Sequence, residues 1–78
     1  MTWRAEEHDG RTFYRLEVTR YDERLALVCG PTADGRYQVR CGGWRRDTRE
    51  IAEVGDLLTV EASGAAARTA ALAWADSV

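Results

Sequence analysis

The segment His8-Asp9-Gly10-Arg11 constrains this chain more than any other. Asp-Gly is favoured where both central residues of a two-residue hairpin turn need positive φ. Placing Asp9-Gly10 in such a turn pairs His8 with Arg11, Ala5 with Tyr14 and Trp3 with Leu16. That register gathers Trp3, Ala5, Tyr14, Leu16 and Val18 on one face, and Arg4, Glu6, Phe13, Arg15 and Glu17 on the other. A slip of one residue would scramble both sets, because strand side chains alternate with a period of two.

The same reasoning extends down the chain. Tyr21-Asp22-Glu23-Arg24 is expected to form a four-residue loop, which sets Val18 opposite Leu27 and Leu16 opposite Cys29. Pro31-Thr32-Ala33-Asp34-Gly35 is a second return, after which Tyr37, Val39 and Cys41 face inward and Gln38 and Arg40 outward. Gly42-Gly43 breaks that strand, and a short fifth strand is expected over 49–54. Thr59 is the expected helix N-cap, with Glu61 in the first turn where the helix dipole favours an acid. Val60, Ser63, Gly64, Ala67, Ala71, Trp74 and Val78 then share one stripe. The expected fold is α+β: an antiparallel β-meander of four to five strands over 2–8, 11–20, 25–30, 36–42 and 49–54. One C-terminal α-helix, over 60–76, packs across one face, and residues 1–78 make a single domain.

At 78 residues the core is small. Such a chain buries only about 60% of the surface its unfolded form exposes, which leaves little room for a deep substrate pocket. The formal net charge of −2 is a poor footprint for binding phosphate backbones. All eleven basic residues are Arg, and Arg and Ala codons are GC-rich, so the composition points to a GC-rich bacterial or phage genome. Met1 to Glu7 has no apolar core and is already acidic, and the longest apolar run, Ala70 to Ala75, is far below the roughly 20 residues of a membrane span. The expected location is the cytoplasm of a bacterium or a phage-infected host cell, with no membrane association.

No catalytic constellation emerges, and the chain is not expected to be an enzyme. Cys29 and Cys41 fall roughly 13 Å apart in the register above, too far for a disulfide, and are expected to be buried, reduced thiols. His8 is the sole histidine, well short of a zinc ligand set, so no metal or cofactor is expected. Ser63 and Ser77 both lie on the helix, away from that histidine, so no activated nucleophile is assembled. Gly42-Gly43 has neither the Lys nor the spacing of a phosphate-binding loop.

What remains is surface. The face expected to point away from the helix carries charges that can pair across strands, together with Phe13 and Val28, which are apolar where water is expected. Arg15, Gln38 and Arg40 accompany them, and Trp44 with Arg45 and Arg46 follows just past the strand. Trp and Arg are enriched at binding hot spots. Trp44 has two readings of equal weight: a cap folded over the core, or an interface residue. Glu50, Glu53 and Asp56 form an acidic edge that could mimic nucleic acid against a basic groove.

Two resemblances follow. Arg36-Tyr37-Gln38-Val39-Arg40, Thr59-Val60-Glu61-Ala62 and the Ala-rich helix resemble the sheet-then-helix pattern of AP2-type and integrase arm-type DNA-binding domains, over roughly the last forty residues. That resemblance implies DNA read by Arg15, Arg40, Trp44, Arg45 and Arg46. In size, mild acidity and plain architecture the whole chain is similar to small phage-borne anti-defence proteins, including anti-CRISPR proteins. That second resemblance implies a non-catalytic inhibitor whose partner is a host defence complex, blocked by surface occlusion. A homodimer covering Phe13 and Val28 is compatible with either.

Overall fold

The computed structural model describes residues 2–77. Five strands lie in a single antiparallel sheet in the order of the chain: β1 (Arg4–His8), β2 (Arg11–Arg20), β3 (Glu23–Pro31), β4 (Tyr37–Gly43) and β5 (Asp56–Glu61). Two helices complete the fold, α1 (Thr48–Val54) between β4 and β5, and α2 (Gly64–Asp76) after β5.

The first hairpin has the register the Asp-Gly turn demands, with His8 opposite Arg11 and Ala5 opposite Tyr14. Asp9 and Gly10 have φ of 54° and 75°, as a two-residue turn matched to strand twist requires. The second hairpin is tighter than expected. Tyr21 and Asp22 alone make the turn, both at positive φ, so Val18 pairs with Leu25 and Leu16 with Leu27. The third hairpin differs by the same amount, with Cys29 opposite Val39 rather than Tyr37. A shift of two preserves which face each side chain occupies. It also brings Cys29 and Cys41 to diagonal positions, roughly 7–8 Å apart rather than 13 Å, where both remain free, buried thiols.

The larger departure is that both faces of the sheet are covered. On one, α2 lays Ala67 and Ala71 against Leu16, Val18, Leu27, Cys29, Val39 and Cys41, with Tyr14, Leu58 and Trp74 at the margin. Arg20 and Arg68 clamp this margin, their guanidinium carbons 4.2 Å from the Trp74 ring centre and 4.3 Å from that of Tyr14. On the other face, Ile51 of α1 enters a second small core formed by Phe13, Ala26 and Val28. The Phe13 ring lies across Gly30, where a Cβ would come within 2.5 Å of it, so the bare backbone there makes room for the ring.

Residues 49–54 are therefore helix, not strand. Asp47 caps α1, its carboxylate accepting the Arg49 amide at 3.2 Å, and Glu50 stands in the first turn. Conversely, 56–61 are strand, with Thr59 opposite Val39 inside β5 instead of capping a helix. Helix α2 starts at Gly64, and its cap is Ser63, whose hydroxyl accepts from the Ala66 amide at 3.1 Å. Of the expected helical stripe, Ala67, Ala71 and Trp74 do face the core. Val60 and Ser63 precede the helix, and Val78 lies outside the described residues.

Candidate functional site

The polar residues expected to form an open binding face are turned inward to hold α1. Arg15 is 7% exposed. Its guanidinium donates to the Trp44 carbonyl at 2.6 Å, the Arg46 carbonyl at 2.8 Å and Thr48 Oγ1 at 3.0 Å, which fastens the loop leading into α1. Its Nε has no hydrogen-bond partner and sits 3.8 Å from a Glu17 carboxylate oxygen. At the other end of α1, Arg40 donates to the Gly55 carbonyl at 2.7 Å and Gln38 to the Ala52 carbonyl at 3.3 Å. A cation suits the carbonyl-rich end of a helix. Phe13 and Val28 are buried against Ile51. Phe13, Arg15 and Val28 are thus withdrawn from solvent, and Gln38 and Arg40 are half-covered; the face is an interior layer.

Trp44 is half-buried and belongs to neither core; the Arg24 and Arg45 guanidinium carbons stand 4.0 Å and 5.0 Å from its ring centre. Arg46 is exposed and pairs with Glu50 at 3.4 Å, one helical turn apart. Glu50, Glu53 and Asp56 stay at the surface, but not along one strand edge: Glu50 and Glu53 are on α1 and Asp56 begins β5.

The junction of α1 and β5 contains something the alternation of residues did not flag. Val54, the last residue of α1, is 67% exposed, and Leu57, near the start of β5, is 51% exposed. Between and beside them stand Asp56 and Glu53, neither in an ion pair among the described residues. Leu57 lies opposite Arg40 and Val60 opposite Gln38, so both occupy the α1 side of the sheet, where α1 covers β3 and β4 but stops short of β5. Val54 and Leu57 are thus exposed apolar residues on either side of the α1–β5 junction, next to a sheet edge with no strand on it among the described residues. Glu53 lies in the wall of a cleft with His8 and Arg49, and Asp56, opposite Cys41, lies on the α2 side of the sheet. The signal available in sequence was Leu57-Leu58-Thr59-Val60, a strand-like run beside Gly55.

Two clefts offer less. One of about 470 Å³ lies between the first and third turns and α1, walled by His8, Arg11, Arg49 and Glu53 and floored by Phe13. His8 Nε2 is 3.1 Å from Glu6 Oε1 and its ring centre is 5.9 Å from that of Phe13. Burial pushes the Glu6 carboxyl up, but hydrogen bonds from Arg4, His8 and Thr48 outweigh it and hold its pKa below the ordinary 4.5. The wall contains no Ser or Cys, and the Thr32 hydroxyl is engaged by Asp34, so no nucleophile stands beside that histidine. The second cleft, about 270 Å³, has Cys41 at its floor with Asp56, Glu23 and Trp74 around it. Burial first, then the Asp56 and Glu23 charges, push the Cys41 thiol up, which keeps it protonated and a poor nucleophile. Among the described residues, no group of three or more His, Cys, Asp or Glu is arranged to hold a metal ion. No helix there is long and apolar enough to cross a membrane.

No protein-family model, curated protein or solved structure was found to match this chain, so the site is read from its own residues.

Proposed function

We propose that this chain is a non-catalytic protein-binding module that engages its partner through the corner where α1 meets β5. In its sharper form the proposal is a phage-borne inhibitor acting in the bacterial cytoplasm, occupying a surface of a CRISPR-type defence complex. The observation that carries it is the exposure of Val54 and Leu57, 67% and 51%, beside the free edge of β5, with the exposed acids Glu53 and Asp56 next to them in the chain. Exposed apolar side chains with acids close by suit a partner surface that offers apolar contacts and basic charge.

Affinity capture from bacterial lysate tests this with the wild-type chain and a Val54→Glu/Leu57→Lys variant. A protein retained by the wild type and lost from the variant is the expected result. An identical set on both columns would sink the corner as a contact surface. The inhibitor form adds a second expectation: cells expressing the chain should let a CRISPR-targeted phage form plaques, and unchanged plaquing would refute it.

The AP2- or arm-type DNA-binding alternative has less support. Arg15 and Arg40 donate to backbone carbonyls under α1, which leaves exposed Arg45 and Arg46, with half-buried Trp44 beside them, from the expected DNA-reading set. That set predicts a gel shift at low salt that weakens steeply as salt rises, and no shift would remove it.

A further inference from the structure

The sheet has two free edges, and they are not alike. β1 presents Arg4, Glu6, Glu7 and His8 among its five residues, the charged decoration by which natural sheets discourage further strands. β5 reads Asp56-Leu57-Leu58-Thr59-Val60-Glu61, apolar or β-branched throughout its centre, with charge only at its ends. Its inner edge pairs with β4 around a bulge at Leu58, where the pairing steps from Val39–Thr59 to Arg40–Leu57, and among the described residues no strand lies along its outer edge. At the bulge Leu58 and Thr59 both lie on the α2 side, whereas Leu57 and Val60, opposite Arg40 and Gln38, lie on the α1 side.

We propose that β5 is a strand-addition site, taking an extended segment of a partner protein that has a basic residue near each end and apolar or β-branched residues between. The proposal rests on the corner reading above and names the partner's form. Main-chain hydrogen bonds on either side of the bulge supply affinity over roughly 20 Å of strand, and Leu57 and Val60 on the α1 side supply specificity. The charges select the occupant. Antiparallel pairing with a second copy over the whole strand would set Asp56 against Glu61 at both ends, two like-charge contacts that disfavour a homodimer. Basic ends on the incoming strand turn both contacts favourable.

The test is an NMR titration of the full chain with a capped hexapeptide carrying lysine at both ends and alternating valine and threonine between. Amide shifts should be confined to β5 and its neighbours, the Val54 and Leu57 methyls should move, and alternate β5 amides should gain exchange protection. The same peptide with glutamate at both ends should bind about ten-fold more weakly or worse. A peptide N-methylated along one backbone edge should lose its binding, since it keeps its charges and side chains but cannot pair. Leu57→Lys, with circular dichroism unchanged, should abolish the response. Silence of the β5 amides at millimolar peptide, or shifts centred on β1, would overturn the proposal. If the N-methylated peptide still moves the Val54 and Leu57 methyls, strand addition falls while the corner surface stands. A concentration-dependent dimer in light scattering that Leu57→Lys abolishes would overturn the choice of occupant.

Discussion

Replacing Arg15 with methionine removes the fastening of α1 while keeping most of the apolar stem. Three bonds disappear, to Trp44 O at 2.6 Å, Arg46 O at 2.8 Å and Thr48 Oγ1 at 3.0 Å. Hydrogen bonds to charged groups contribute about 1.5–3 kcal/mol each, but these three share one guanidinium and do not add. Two terms reduce the loss: burying the charge was itself costly, and carbonyls in a surface loop can bond to water once released. The expected loss is about 2–4 kcal/mol, which for a domain of this size lowers Tm by roughly 10–30 °C. Urea unfolding followed by circular dichroism measures it, with the midpoint falling at unchanged slope. Arg15→Lys keeps the charge on a single nitrogen that cannot reproduce the planar fork, and should fall between Arg15→Met and wild type. Arg4→Met, at an exposed position, should stay within about 0.5 kcal/mol of wild type. Amide exchange should speed up over residues 46–52 before the sheet is affected. A loss under about 0.5 kcal/mol for Arg15→Met, or undiminished protection in α1, would refute the reading of Arg15 as a fastening.

Other expectations follow from single features. Asp22 sits at φ 62° in the second turn, a conformation that costs a non-glycine residue about 1 kcal/mol, so Asp22→Gly should raise Tm by a few degrees; a lower Tm in the melt would contradict it. Hydrogen bonds from Thr32 and Arg36 hold the Asp34 carboxyl down to about 2. A depressed carboxylate stabilises the fold above its ordinary value of 3.8, and that contribution is lost as pH falls toward about 2, so an NMR titration should find the 32–36 turn intact at pH 3 and loosening below it. Burial pushes both the Cys29 and Cys41 thiols up, so iodoacetamide should modify neither quickly at neutral pH until denaturant is added, and rapid labelling of the native chain would show that one of them is accessible.

How much of this was legible from the residues alone depended on whether a residue's role is local. Asp9-Gly10 announces its own geometry, and the first hairpin follows residue for residue. Tyr21-Asp22 does the same job without a Gly and with an aromatic residue at a positive-φ position, so nothing local marks so tight a turn, and the pairing was displaced by two. The inner face survived because a shift of two leaves alternation intact. Helix α1 did carry a local signal, Asp47 with Glu50 three residues on, the pattern of a capping box, but Ile51 alternating with Glu50, Ala52 and Glu53 imitates a strand over so short a span. The second layer was written in Phe13, Ala26 and Val28, three apolar side chains on a face assigned to water. Their presence is better explained by a covering element than by an exposed contact surface. The burial of Arg15 and Arg40 has no local signature, because their partners lie in carbonyls brought near only by the fold. Glu50, Glu53 and Asp56 were placed at the surface correctly, since charge without a partner element stays in water.

The order in which the strands sit in the sheet is also the order in which a ribosome delivers them. Each strand finds its neighbour already made, and the first two pairings close over turns of only two residues. Topologies dominated by such short-range pairings fold quickly for sheets, on the order of milliseconds. The Arg15 fastening is the opposite case, reaching 29 to 33 residues along the chain. It should therefore close after the rate-limiting step, so that Arg15→Met speeds unfolding and leaves refolding nearly unchanged in a stopped-flow chevron. A refolding rate that drops in proportion to the lost stability would place α1 in the folding nucleus instead.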